Sequence, residues 1–388
     1  MTVREAEAKS ILRKQKRTDS WFVSKYGMNL YRGCTHNCVY CDGRAEKYQV
    51  DGEFGRDVVV KVNAIDLLRR EMDPRRKRVP LKRGFVMLGG GVGDSYQPAE
   101  RQYGLTRRAM ELMLEYCCPV HVLTKSTLVE RDLDLLKRIN EQSRAILSFS
   151  FSSVDDDISR TFEPGVPPPG ERLRTLDRFK SEGVACGMFL LPVIPFVTDT
   201  PERIDESVRA ARDAGLDFVV FGGMTLKEGR QREYFHRALS QRLPELVPEY
   251  EKLYTGDKWG QATPQYYAGL NARFNEIRKR YGMPPRIPAR LFRDILDEND
   301  LVSVILEQMD YLLALEGRSS PLRYAAYSVS QLKVPISTLR SELQSLKGVG
   351  EATERVILEI IDTGTSSYYG KLMGEANRRP RKDRGRSS

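Results

Sequence analysis

Three features of the sequence predict a parallel α/β domain succeeded by a small all-α unit. Short apolar runs alternate with amphipathic stretches through the middle of the chain, strand signals stop after a proline cluster, and the remainder is helical in period. Strands are expected at 84–88, 120–123, 145–151, 184–190 and 218–221. Between them, apolar residues spaced by three and four predict helices at 62–71, 98–116, 129–140, 171–182 and 201–214, several opening on Pro, Asp or Glu. The pattern leaves open whether the strands close into a full or partial barrel or lie flat between helices. In Gly282-Met283-Pro284-Pro285-Arg286-Ile287-Pro288 the prolines break any helix, which places a boundary there. The expected organisation is a basic leader (1–20), the α/β domain (21–285), a helical domain (286–376) and a basic tail (377–388).

The 388 residues carry a formal charge of +10, with 40% apolar and 30% charged residues. This is a globular balance. No apolar run approaches the roughly 20 residues of a membrane span, and Met1 to Arg17 lacks the apolar core of a signal peptide. A cytoplasmic location is therefore expected. The positive charge is concentrated in Arg13-Lys14-Gln15-Lys16-Arg17, Arg75-Arg76-Lys77-Arg78 and the 378–386 tail. Such runs suit a polyanionic partner, while a solubilising surface is the competing reading.

Three of the six cysteines fall within Cys34-Thr35-His36-Asn37-Cys38-Val39-Tyr40-Cys41. In a reducing compartment this spacing points to metal or catalysis and not to disulfides. C-x3-C-x2-C lets three thiolates converge on one [4Fe–4S] cluster and leaves the fourth iron open, whereas electron-transfer clusters normally use four cysteines. An open iron can chelate the amino and carboxylate groups of S-adenosylmethionine (SAM). Zinc would need His36 as its fourth ligand, at a spacing awkward for a tetrahedron.

This segment, with Tyr40 before the last cysteine, resembles the signature of the radical SAM superfamily. The resemblance implies a partial (β/α)6 barrel with the cluster, held by Cys34, Cys38 and Cys41, on the loop after the first strand. Leu88-Gly89-Gly90-Gly91-Val92-Gly93-Asp94 resembles the glycine motif after the second strand, which receives the amino group of SAM. A dinucleotide fingerprint fails because Asp94 occupies its last glycine position. Tyr96-Gln97-Pro98-Ala99-Glu100, Thr124-Lys125-Ser126, the 148–153 serine-rich strand and Phe162-Glu163-Pro164-Gly165 are similar to the DNA repair photolyase, or spore photoproduct lyase-like, branch. By that likeness Lys125 and Ser150 hold the SAM carboxylate, and Arg160 faces the adenosine or carboxylate; Tyr40, Gly89, Gly90, Gly91 and Asp94 complete the expected cofactor site. That lyase implies an extra cysteine as hydrogen-atom donor, yet none lies between Cys41 and Cys117. Cys117, Cys118 and Cys186 read as packing residues, as do Tyr26, Tyr48 and Tyr96, which also qualify as radical relays.

In the C-terminal region, Leu346-Lys347-Gly348-Val349-Gly350 followed by an amphipathic stretch predicts a helix-hairpin-helix, with an α-helix ending near Leu346 and another over 351–362. Glycines let such a turn present its amides to a phosphate, and the next helix N-terminus favours an anion. Lys347, Gly348, Val349 and Gly350 are the expected nucleic-acid contacts. Together with 312–317 and 321–327, the segment resembles the amino-terminal domain of family X DNA polymerases. Its Schiff-base lysine position falls on Val356, so DNA binding without lyase activity is expected. The leading expectation is a radical SAM enzyme that generates a 5′-deoxyadenosyl radical and acts on damaged, gapped or single-stranded DNA. A reductase, ferredoxin or flavodoxin would donate the electron. Radical modification of RNA or protein is the alternative, and a non-catalytic metal-containing DNA-binding protein the alternative of another class.

Overall fold

The computed structural model describes residues 2–48, 52–76 and 81–374. The tail and Lys77-Arg78 of the second basic run lie outside the described residues. The main sheet has seven strands. Six of them, β3 (Ser24–Met28), β6 (Phe85–Leu88), β7 (Val120–Thr124), β8 (Ala145–Phe151), β9 (Ala185–Val193) and β10 (Phe218–Gly223), run parallel. β2 (Leu12–Asp19) closes one edge antiparallel to β3, giving the order β10-β9-β8-β7-β6-β3-β2. A side sheet joins β1 (Thr2–Ala6), β5 (Asp57–Lys61) and the short β4 (Tyr31–Arg32). Six parallel strands with crossover helices are the expected partial barrel.

The crossovers use α1 (Ala64–Met72), α2 (Glu100–Tyr103), α3 (Leu105–Glu115), α4 (Leu133–Gln142), α5 (Asp156–Phe162), α6 (Pro169–Ser181) and α7 (Pro201–Asp213). The single helix expected over 98–116 is two, because Gly104 adopts a left-handed conformation (φ +60°) between α2 and α3. Asp155 caps α5 through Asp157 N and Ile158 N, and Thr200 caps α7 with Pro201 in its first turn. After β10 come α8 (Arg230–Arg242), α9 (Val247–Leu253) and α10 (Pro264–Tyr281), then the C-terminal α11 (Glu298–Ala314), α12 (Leu322–Ser330), α13 (Glu351–Thr363) and α14 (Ser367–Met373).

Strand alternation sorts the core into two layers. Leu147, Phe149 and Phe151 of β8 face the crossover helices, while Ile146, with Phe189 and Phe218, faces the opposite way. That second face packs on Ile287, Phe292, Val302, Met309, Ile357 and Tyr369 of the C-terminal region. A buried ion pair, Lys25 Nζ to Asp300 Oδ2 at 2.6 Å, and Gln308 Nε2 donating to Ser20 O at 3.1 Å tie α11 to the sheet. The helical unit therefore covers the inner face of the partial barrel and shares its core. The segment expected as a basic leader is ordered as β1 and β2, with β2 stitched into the sheet.

The polymerase-like region departs from expectation before its turn. An α-helix ending at Leu346 is replaced by 3-10 turns at Ile336–Leu339 and Leu343–Ser345. The helix after the turn is α13, as expected. Gly348 needs its lack of a side chain: φ is +86° and a Cβ would sit 2.5 Å from Ala325 N of α12. Gly350 faces open space.

Candidate active site

A cavity of about 590 Å³ opens at the C-terminal ends of the parallel strands, where ligands of parallel α/β domains bind. Cys34, Cys38 and Cys41 line it with Tyr40, Gly90, Gly91, Asp94, Lys125 and Ser150. All the expected cluster and cofactor-site residues except Gly89 and Arg160 thus meet around one space. Gly89 stands behind it as a spacer. Its φ is +86°, and a Cβ would lie 2.1 Å from Leu123 O, so a side chain there would push the glycine loop off β7.

The cysteine loop is clamped from three sides. Gln97 Nε2 donates to Gly33 O at 3.0 Å, and Thr35 N donates to Gln97 Oε1 at 3.2 Å. Val39 N donates to Phe162 O at 2.8 Å and Gly165 N to His36 O at 3.0 Å. His36 Nε2 lies 3.1 Å from Asp94 Oδ2. This gives the Gln97 and Phe162–Gly165 motifs a physical role, since both hold the loop and neither needs to touch a ligand. Glu100 is fully buried; it accepts from Tyr31 Oη and from Thr106 N at 2.9 Å, and anchors the same loop to α3.

Asp94 is committed to structure. Besides His36, its carboxylate accepts from Thr124 Oγ1 at 2.7 Å and from the amides of Lys125 and Tyr96, each at 2.8 Å. Burial opposes its ionisation, but His36 and these donors overcome that and hold its pKa below the usual range. Lys125 Nζ donates to Ser150 Oγ at 3.0 Å and to Glu163 Oε1 at 2.8 Å. Glu163 also accepts from Tyr40 Oη and from Arg172 Nη2 at 2.9 Å, while Arg172 Nη1 donates to Ser150 O at 2.7 Å. Arg172 and Glu163 are fully buried. Despite the burial, Lys125 and Arg172 pull the Glu163 pKa down to about 2.

Glu163 and Arg172 are the organising residues that sequence reasoning missed. Glu163 was visible only as part of a string, and Arg172, on α6, gave no signal. Arg160 is placed elsewhere: its side chain is 74% exposed and pairs with Asp157 at 2.9 Å, away from the cavity lining. Tyr96 is fully buried, and Tyr26 Oη accepts from Lys82 N at 2.8 Å; neither lines the cavity, nor does Tyr48. The lining phenols are Tyr40, Tyr267 and Tyr311.

The donor set fits the expected cluster. Among the described residues no three His, Cys, Asp or Glu side chains converge tightly enough for a single ion. What supports the cluster is the donor set, three thiols and no fourth cysteine on one cavity, which leaves one iron of a [4Fe–4S] cube open. Burial raises all three thiol pKa values, Cys38 to about 12 with Lys125 partly offsetting it. Ligation by iron must therefore displace their protons.

The radical SAM superfamily model matches residues 28–200, which span the cysteine loop, the glycine loop, Lys125 and Ser150. An uncharacterized protein of Mycobacterium tuberculosis is 32% identical over 278 residues, 69% of this chain and 79% of the relative. The chain is a radical SAM protein. An uncharacterized protein of Methanocaldococcus jannaschii is 29% identical over 223 residues, 57% of this chain and 78% of the relative. Among solved structures, spore photoproduct lyase complexed with dinucleoside spore photoproduct superposes with a TM-score of 0.54 at 17% identity, covering 72% of this chain and 79% of that one. A double mutant of that lyase with bound AdoMet and the same dinucleoside gives the same score, identity and coverage. At this identity the likeness is one of fold. The chain is an enzyme of this superfamily, and membership implies a [4Fe–4S] cluster and SAM as cofactors. No helix among the described residues is long and apolar enough to cross a membrane.

Proposed function

We propose that this radical SAM enzyme acts on nucleic acid, with DNA carrying a base lesion as its substrate. The observation that carries the reading is the cavity itself. It brings Cys34, Cys38 and Cys41, the Lys125–Ser150 pair and the aromatic rings of Trp21, Phe22 and Tyr311 around one space. In support, the fold resembles a lyase whose structure holds a dinucleoside photoproduct, and the chain is strongly basic. When bound, the cluster and SAM supply a 5′-deoxyadenosyl radical.

The chain's own residues do the rest. The three thiolates would hold iron, and the backbone of Gly90, which packs on Met87, and of Gly91, which faces open space, would take the SAM amino group. Lys125, a compact cation held between Ser150 and Glu163, receives its carboxylate. Asp94 serves by fixing the glycine loop to β7 and to His36. A base held in a duplex must be extruded to reach the cavity. Hydrogen return falls to a group other than cysteine, because Cys117 and Cys118 line a different pocket and Cys186 is buried behind the sheet. Tyr267 and Tyr311, which line the cavity, are the candidates we propose for it.

The test is 5′-deoxyadenosine formation by anaerobically reconstituted protein under dithionite, with ultraviolet-irradiated DNA, intact DNA, RNA or peptides added. Damaged DNA is expected to give the largest stimulation, and a response to peptides alone would refute the reading. For the C-terminal turn, Gly350→Asp is the clean probe because its site is open. It is expected to weaken DNA binding roughly tenfold without loss of iron, by setting a carboxylate against phosphate. Unchanged affinity at moderate salt would remove the turn from the interface. Gly348→Asp is a poor probe, since it collides with α12.

A further inference from the structure

A second groove, of about 770 Å³, runs along the exposed edge strand β2 and shares Trp21 and Tyr311 with the cavity as a common wall. From β2 it presents Arg13, Lys14 and Lys16, and from α12 Arg323. Among the described residues none of these four cations has a carboxylate within ion-pair reach. The acids beside them are engaged elsewhere. Glu307 pairs with Arg17 at 2.7 Å, Asp310 accepts from Ser320 Oγ at 2.5 Å, and Asp19 accepts from the amides of Trp21 and Phe22. The groove thus carries an excess of positive over negative charge beside the cavity.

The wall that groove and cavity share is closely packed. The Arg286 guanidinium is fully buried and stacks on the rings of Trp21 and Tyr311, at 4.0 Å and 3.4 Å from their centroids. On α12, beyond Arg323, Tyr324 and Tyr327 stand 59% and 57% exposed, one helical turn apart. Lys347 of the glycine turn lies over the Tyr324 ring at 5.5 Å. Exposed aromatics next to free cations are the combination that holds single strands, rings stacking on bases and cations tracking phosphates.

We infer that the β2 groove carries the phosphate backbone of a single-stranded stretch of nucleic acid, which runs from the cavity past Trp21 and Tyr311 toward Tyr324, Tyr327 and the glycine turn. The inference rests on the nucleic-acid reading of the function and adds the path. It explains why a run of basic residues sits on an edge strand, where unpaired backbone and unpaired charge face the same solvent.

The experiment uses the full-length holoenzyme and a labelled oligothymidylate, with anisotropy titrations over a range of salt. The combined variant Arg13→Glu, Lys14→Glu, Lys16→Glu is expected to lose roughly tenfold or more in affinity, and its plot of log affinity against log salt to flatten by about 2, at about 0.7 per phosphate contact for single strands. The pair Tyr324→Ala, Tyr327→Ala should lose affinity with the slope unchanged, as lost stacking would. Iron content and far-ultraviolet circular dichroism report whether each variant is folded. If the wild type binds the oligonucleotide and both folded variants keep its affinity and slope, the path is wrong while the nucleic-acid reading stands. If no nucleic acid binds the wild type but polyglutamate does, the partner is an acidic protein and both fall.

Discussion

Alanine at any one of Cys34, Cys38 or Cys41 is expected to leave a protein without a stable cluster and without SAM cleavage. Alanine at Cys117, Cys118 and Cys186 together should preserve both. The division follows from where the fold puts each thiol. The first three line the cavity, on a loop clamped by Gln97, Phe162 and Gly165. Cys117 and Cys118 line a pocket shared with Lys82 and Arg83, at the N-terminal ends of the strands. Cys186 is fully buried among the residues that face the crossover helices. Removing one ligand of three leaves the cluster two protein ligands, too few to hold it on a loop otherwise ordered by hydrogen bonds. The Cys186 change costs only packing, on the order of 1 kcal/mol. Iron and sulfide analysis, the electron paramagnetic resonance spectrum of the reduced protein and chromatography of 5′-deoxyadenosine measure the outcome. A Cys38→Ala protein with full iron and normal SAM cleavage would remove the cysteine loop from the chemistry.

The strands on the far side of the barrel were legible because each is a bounded apolar run; β8 falls on 145–151 as expected. β2 and β3 were not. Leu12–Asp19 is largely charged, and Ser24-Lys25-Tyr26-Gly27-Met28 contains no β-branched residue, so neither has a strand's pattern. Pairing with β6 makes β3 a strand, and β2 keeps its charge because it is an edge. The site divides in the same way. Cysteine spacing and glycine runs are local signals and could be read. The Glu163–Arg172–Lys125 network joins three separate elements, and nothing local announces it. Motifs such as Tyr96–Glu100 and Phe162–Gly165 could be read as strings but not as clamps, because the loop residues they hold lie 64 and 129 positions away. The C-terminal turn shows a further limit. Gly348 and Gly350 were visible, but the helix before them gave way to 3-10 turns, where Pro335 and the short polar stretch after it offer little helical continuity.

Glu163→Gln is expected to destabilise the fold by about 3–5 kcal/mol, since it leaves Arg172 and Lys125 facing each other without their shared anion. Arg172 is fully buried and has no water to turn to, whereas Lys125 is 14% exposed. The loss should appear as a lower urea midpoint for the apoprotein. It should be partly restored by Arg172→Met in the same chain, because the second change removes the charge that the first left unpaired. Acid dependence gives an independent reading. The Glu163 pKa is held near 2, against 4.5 for the free side chain, because Lys125 and Arg172 outweigh its burial. A carboxylate depressed in the folded state binds fewer protons there than in the unfolded chain. Its contribution, roughly 3 kcal/mol for a shift of this size, is therefore complete above about pH 5 and lost as pH falls through 4.5 toward 2. The variant should lack this part of the acid limb. An unchanged urea midpoint together with an unchanged acid limb would show that the network contributes nothing to the fold. If stability falls as expected, SAM affinity should fall with it, because Lys125 would lose the anion that holds it beside Ser150.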